Sequence, residues 1–202
     1  PVPFSSSVYL ATTAILNSSN EEIKKEYLPK LAGGEIIGTF AHSEKTSFPD
    51  ESGIAVTIKG SKISGQKIAV PDGDIADFAI VSASSGKKVG LYIVDLKDKK
   101  VSIETLDTFD PSRSHANVSF DGATATSLED DAWTSIEKLL DQSAVLFAFE
   151  QVGGAEAAMN MAKEYAMGRY AFGRAIASFQ AIKHKVADMY ISLQLARSNC
   201  YY

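Results

Sequence analysis

GRYAFGRAIASFQAIKHKVADM, residues 168–189, is the stretch on which the reading of this chain turns. It reads as two helices joined at a tight corner. An apolar helix arrives at Gly168, Gly173 breaks the path, and a second helical period begins at Ser178. Arg169 stands at the end of the first helix, where a cation suits the negative pole of the helix dipole. That accounts for one positive charge. It does not account for Phe172, Gly173, Phe179 and Gln180 arriving together. Local physics leaves two readings open, a structural corner and a ligand site, and the structural corner is the simpler one.

Working outward, LEDDAWTSIEKLLDQSAVLFAFEQVGGAEAAMNMAKEYAMGRY can run as one long helix, with Gly153-Gly154 as the place for a bend. Its middle is apolar almost all round, so it is expected to be buried among other helices. SFQAIKHKVADMYISLQLARSNCYY is expected to form its antiparallel neighbour. Upstream, from Ile36, the period is that of strands. GIAVTIKG, KISGQKIAV, FAIVSAS, VGLYIVDL, VSIETL and ANVSFDGA are short β-rich runs, parted by turn signals at Lys59-Gly60, Pro71-Asp72-Gly73, Ser85-Gly86 and Asp98-Lys99. Short links predict an antiparallel sheet or small barrel. Before that lie two helix candidates, residues 5–16 and NEEIKKEYLPKLAGG. The second has Asn20 as its cap, Glu21 and Glu22 in its first turn, Lys30 in its last and Gly33-Gly34 as its stop. Pro29 is expected to kink or loosen it.

Composition narrows the function classes. The 202 residues make one large domain or two small ones, and 45% hydrophobic with 22% charged residues is ordinary for a globular protein. A net charge of −5 argues against a nucleic-acid binder, though a local basic spot could still hold an anionic cofactor. A lone cysteine, Cys200, points to a reducing, cytoplasmic compartment. No apolar run is long enough to span a bilayer, and no signal peptide is visible. The start at PVPF without Met and the end in helical period suggest part of a longer polypeptide.

The remaining chemistry-bearing residues have bland readings. His42, His115 and His184 are far apart, and no Cys/His/acid spacing suggests zinc or any other metal. GxGxxG, Walker and G-x-S-x-G patterns are absent. His184 lies between two lysines on a solvated face, and Lys87-Lys88 and Lys97 to Lys100 are turn charges. Trp133, Met159, Met161 and Met167 read as core.

Taken together, Arg169, Phe172, Gly173, Ile176, Phe179, Gln180 and Ala187-Asp188-Met189 resemble the R-x-x-F-G-x-x-I-x-x-F/H-Q corner of the acyl-CoA dehydrogenase family. KKEYLPKLAGGEIIGTFAHSE is similar to that family's passage from its first helical domain into its β domain. The resemblance implies an α+β multi-domain fold: residues 1–35 the tail of an N-terminal helical domain, 36–126 a middle β domain, and 127–202 the first two helices of a C-terminal helical domain. It implies FAD as cofactor and α,β-dehydrogenation of an acyl-CoA thioester, in which a carboxylate removes the α proton while hydride leaves the β carbon. By resemblance, Arg169 grips the flavin pyrophosphate of a neighbouring subunit, Phe172 walls the cofactor, Gly173 permits the turn, and Phe179 and Gln180 complete the contact. Ser43 and Pro71 are the matching positions on the chain's own flavin face.

That face departs from the family pattern. SEKTSFPD, Ser43 to Asp50, stands where T-E-P-G-A-G-S-D is usual, and AVPD, Ala69 to Asp72, stands where W-I-T/S-N is usual. Ser43 and Glu44 are kept, Lys45 replaces a proline, and Ala69 and Pro71 replace a tryptophan and a hydroxyl residue. Asp141-Gln142-Ser143-Ala144 stands at D-R-x-R, so both arginines are missing. Ser143 holds the place used for the catalytic glutamate in a minority of the family. The usual base is expected beyond Tyr202. V-P-D-G and Asp110 to Arg113, D-P-S-R, resemble a divergent branch with unlike subunits. The expected partners are an acyl-CoA, another acyl-CoA dehydrogenase-like subunit, and electron-transfer flavoprotein as acceptor. A catalytically inactive assembly subunit is the competing expectation.

Overall fold

The computed structural model describes residues 2–45, 49–110 and 112–202. The chain divides into two compact units, Pro1–Gln142 and Ser143–Tyr202.

The first unit opens with a π-helical segment, Ser5–Thr12, that runs into α1 (Thr13–Asn17). The Thr12 and Thr13 hydroxyls donate five residues back, to the Ser7 and Val8 carbonyls at 2.8 and 3.2 Å, a spacing that suits the wider turn. Leu10, Ala11, Ala14 and Ile15 are its buried face. α2 (Glu21–Ala32) starts as expected, with Asn20 Oδ1 accepting the Ile23 N–H at 3.1 Å. Gly34, at φ +69°, follows its end. Pro29 does not stop α2, which continues to Ala32; so late in a helix its missing N–H removes a single ladder bond.

The sheet holds β1 (Gly38–Ala41), β2 (Thr57–Lys59), β3 (Lys62–Pro71), β4 (Phe78–Ser85), β5 (Lys88–Asp95), β6 (Val101–Thr105) and β7 (His115–Glu129). Its order is β1-β4-β2-β3-β7-β5, with β6 on β7. β5 pairs back onto β4, so the path from β4 through β2, β3, β7 and β5 closes on itself as a small barrel. Val56, Ile63, Val81, Val94, Val118 and Phe120 fill it. The expected antiparallel links hold for most neighbours, while β1–β4 and β2–β4 are parallel. β1 was not among the runs read from sequence. All four of its residues are buried, so it carries no alternation to mark it. The turn lysines form surface ion pairs: Lys88 with Asp131, Lys97 with Asp77 and Lys100 with Asp121.

α3 (Trp133–Gly168) begins in the first unit and provides the first helix of the second, passing Gly153-Gly154 without interruption. A hairpin of β8 (Tyr170–Ala171) and β9 (Arg174–Ala175) leads to α4 (Gln180–Tyr201). The antiparallel neighbour expected from the sequence is there. Glu156 pairs with Arg197 at 2.6 Å, and the Phe149 and Tyr201 rings meet at 4.9 Å. The expected burial of the helix and its methionines is not met. Met161 and Met167 are exposed, and Met159 and Trp133 are half-buried. Within this unit α4 covers one side of α3, which leaves apolar positions on the others in solvent.

Candidate functional site

Arg169 is the first residue past α3. Its N–H still donates to the Tyr165 carbonyl at 2.9 Å, and its own carbonyl accepts the Ile176 N–H at 2.8 Å, which closes the corner. Between these bonds Tyr170 pairs with Ala175 and Ala171 with Arg174, leaving Phe172-Gly173 as a two-residue turn. Both turn residues are left-handed, at φ +53° and +77°, the pattern of a type I′ hairpin. Glycine suits that geometry. A bulky residue there is an outlier, and Phe172 is also 95% exposed, so packing inside this chain does not offset its strain.

The other corner residues gather around Phe179. The Arg174 guanidinium lies 4.1 Å from its ring centroid, and the Phe172 ring meets it edge-on at 6.3 Å. Gln180 opens α4 with its amide nitrogen 2.8 Å from His184 Nε2. Arg169 and Gln180 are exposed, and among the described residues no carboxylate pairs with the Arg169 guanidinium. The corner thus brings together all five residues singled out from the sequence. It adds Arg174, whose signal was a second arginine five residues before an aromatic.

The other two candidate positions, Ser43 and Pro71, lie on the first unit, at one edge of the barrel. Ser43 is half-buried, and its carbonyl accepts the Ile68 N–H at 3.0 Å. The Pro71 carbonyl accepts the Thr39 hydroxyl at 2.5 Å. Ala69, exposed at φ +48°, gives its N–H to Asn117 Oδ1 at 3.3 Å. The Asp72 carboxylate accepts hydroxyls from Ser6 at 2.5 Å and Ser114 at 3.2 Å. The Ile68 and Ala69 N–H groups and the Thr39, Ser6 and Ser114 hydroxyls of this edge are therefore engaged within the protein. Residues 46–48 of the 43–50 motif, and residue 111 of the 110–113 motif, lie outside the described residues. Ser143 lies on α3.

Sequence reading passed over a buried polar cluster behind that edge. The Lys67 ammonium, fully buried, donates to Glu44 Oε1 at 2.7 Å, the His42 carbonyl at 2.9 Å and Ser82 Oγ at 2.9 Å. Glu44 also accepts the Ala55 and Val56 N–H groups at 2.7 and 3.2 Å. His42 Nδ1 lies 3.0 Å from Ser82 Oγ, and its ring stacks on Phe40. Burial pulls Lys67 down to about 8, against the pull of the Glu44 carboxylate. Burial, helped by the Lys67 charge, pulls His42 down to about 4. The available signal was strand parity, since Lys67 shares its side of β3 with Ile63.

Residues 130–202 match the family model described as acyl-CoA dehydrogenase, C-terminal domain. Across a wider span the chain is 34% identical over 154 residues to acyl-CoA dehydrogenase IpdE2 of Mycobacterium tuberculosis, covering 74% of this chain and 43% of that protein. It is 31% identical over 211 residues to an acyl-CoA dehydrogenase of Bacillus subtilis, covering 96% and 55%. The chain belongs to the acyl-CoA dehydrogenase family. Its fold agrees with butyryl-CoA dehydrogenase from Megasphaera elsdenii at a TM-score of 0.90 and 25% identity, over 98% of this chain and 56% of that one. It also agrees with a variant of the Tcur3481-Tcur3483 steroid ACAD, at a TM-score of 0.84 and 27% identity, over 100% of this chain and 55% of that one. The chain spans about half the length of the relatives it matches.

Family membership makes FAD the cofactor against which the residues are to be judged. The corner fits it. A guanidinium without a carboxylate partner suits a diphosphate, an exposed ring suits a flat heterocycle, and an amide can both donate and accept. The barrel edge fits less well, because Pro71 has no N–H and the Ala69 N–H is already taken.

Proposed function

We propose that this chain is a subunit of an FAD-dependent acyl-CoA dehydrogenase, and that its corner from Arg169 to Gln180 completes a flavin site shared with a neighbouring subunit. One observation carries the reading. Phe172 is held in a left-handed turn with its ring in solvent, in the same corner as Arg169, whose guanidinium no carboxylate among the described residues neutralises. The left-handed backbone costs stability in the isolated chain, and an anionic, aromatic ligand covering the ring and the guanidinium offsets it.

Each residue then has a definite task. Arg169 holds the diphosphate with a forked pair of charge-assisted hydrogen bonds. Phe172 covers the cofactor, Gly173 lets the backbone turn, and Arg174 stacked on Phe179 keeps that ring in place. Gln180 presents its amide from the first turn of α4. Bound FAD supplies the two-electron acceptor for a hydride from the thioester β carbon. The base that takes the α proton lies outside these residues. The contrast between an intact corner and an altered barrel edge, with Ala69 and Pro71 where the family has a tryptophan and a hydroxyl, favours an assembly of unlike subunits. The double designation of the steroid relative agrees with such an assembly. A cytoplasmic location and electron-transfer flavoprotein as the acceptor complete the reading.

The test is flavin retention. Full-length protein co-purified with a co-encoded homologue is expected to be yellow. R169A in that assembly is expected to lose FAD affinity by about 30- to 100-fold, the worth of a charge-assisted pair. Unchanged flavin content and turnover in R169A would instead make the chain an assembly subunit. A yellow, active protein purified alone would make it a homomeric enzyme.

A further inference from the structure

The buried Lys67 cluster ties together two segments of the barrel edge, and nothing in the flavin reading uses it. Lys67 has three donors and spends them on three parts of the fold: the Glu44 carboxylate, the His42 carbonyl at the exit of β1, and Ser82 on β4. Through Glu44 the clamp extends to the Ala55 and Val56 N–H groups. The next residue along β3 adds a fourth tie, from the Ile68 N–H to the Ser43 carbonyl at 3.0 Å. Immediately beyond, the β3–β7 ladder slips. Lys67 pairs with Val118 and Val70 with Ala116, so Ile68 and Ala69 together oppose Asn117. Ala69 takes up the bend at φ +48°.

A fully desolvated ion pair is a poor source of stability, because an apolar pair of the same volume does as well or better. What the pair does supply is fixed geometry, through directed bonds to several segments at once. The segments it fixes are residues 42–45 and 67–72, which hold the two candidate positions of the chain's own flavin face. We infer that Lys67 is a positioning residue: with Glu44 it clamps the His42–Lys45 segment to the Ala69 bend and so sets the edge of the barrel that faces the flavin. The facing direction rests on the proposed function above, while the clamp itself rests on the bonds just described.

The test uses the full-length protein in its assembly and the double variant K67M/E44Q, which removes both charges at similar volume. Amide hydrogen exchange at Ala55, Val56, Ile68 and Ala69 is expected to accelerate at least tenfold, with β4–β5 exchange unchanged. FAD affinity is expected to fall about tenfold, with a shifted visible flavin spectrum. Unaltered exchange at those four amides overturns the clamp. Faster exchange with wild-type flavin affinity and spectrum overturns the positioning role and leaves a structural ion pair. A wild-type assembly without flavin overturns the shared-site reading, and the exchange ratio still confirms or overturns the clamp. Should the double variant not fold, E44D keeps the charge and shortens its reach by one methylene, and the same exchange pattern is expected.

Discussion

Phe172 holds a strained backbone conformation that packing within this chain does not offset, and one substitution separates the strain from the ring's role. A non-glycine residue in the left-handed region costs on the order of 1 kcal/mol, and Phe172, at φ +53°, is almost wholly in solvent. F172G is therefore expected to leave the unfolding free energy from urea melts unchanged or raise it, by up to about 1 kcal/mol, while flavin retention in the assembly falls. A loss of stability larger than that would mean that the ring's contact with Phe179 supports the hairpin. His42 gives a second test at this scale. Burial, then the nearby Lys67 charge, lowers it to about 4 from an ordinary value near 6.5. Between those values the unfolded chain binds more protons, so stability rises with pH across that window and is lost as pH falls through it. The loss is on the order of 3 kcal/mol, complete below about pH 4. Urea melts at pH 7 and pH 4.5 are expected to differ less in H42L than in wild type, and equal differences would show that His42 stays neutral or solvated throughout.

At the level of elements, legibility followed the local signals. Asn20 as cap and Gly34 past the end of α2 were readable because caps are set by a few side chains with fixed preferences. The hairpin at Gly86 and the antiparallel α3–α4 pair were readable for similar reasons. β1 was not, since a strand buried on both faces shows no alternation, and its parallel pairing with β4 depends on chain path rather than on its own residues. The corner residues could be picked out together, but nothing in their spacing shows a hairpin inserted between two helices. Lys67 was legible only through strand parity, because a charged residue usually marks an outward position. Gly38 shows what such contacts demand. A Cβ there would lie 2.6 Å from the Phe78 ring and 2.7 Å from the Ala11 Cβ, because the first helical segment rests directly on β1. G38A is expected to cost about 1–3 kcal/mol as overpacking, read as a lower urea midpoint with an unchanged slope. No loss would mean that the helix rides further from the sheet than these contacts require.

Across the whole molecule, the two units differ in how completely they bury their apolar residues. The first closes its barrel around aliphatic side chains such as Ile63, Val81, Val94 and Val118, all with no exposed surface. The second carries Val145, Met161, Tyr165, Met167, Met189, Tyr190, Ile191 and Leu195 in solvent on two helices. Burial of apolar surface is the main source of folding free energy, so the two units should not share one stability. Native-state hydrogen exchange on this 202-residue chain is expected to show the slowest amides in β4 and β5, and α4 amides exchanging at least 100-fold faster. Added partner subunit should slow the α4 amides most, because binding the folded helices raises the free energy of every opening that disrupts the bound surface. Equal protection of the barrel and α4 in the isolated chain would show that the helical pair is stable without a partner, and that its exposed apolar face is a surface property and no demand for assembly.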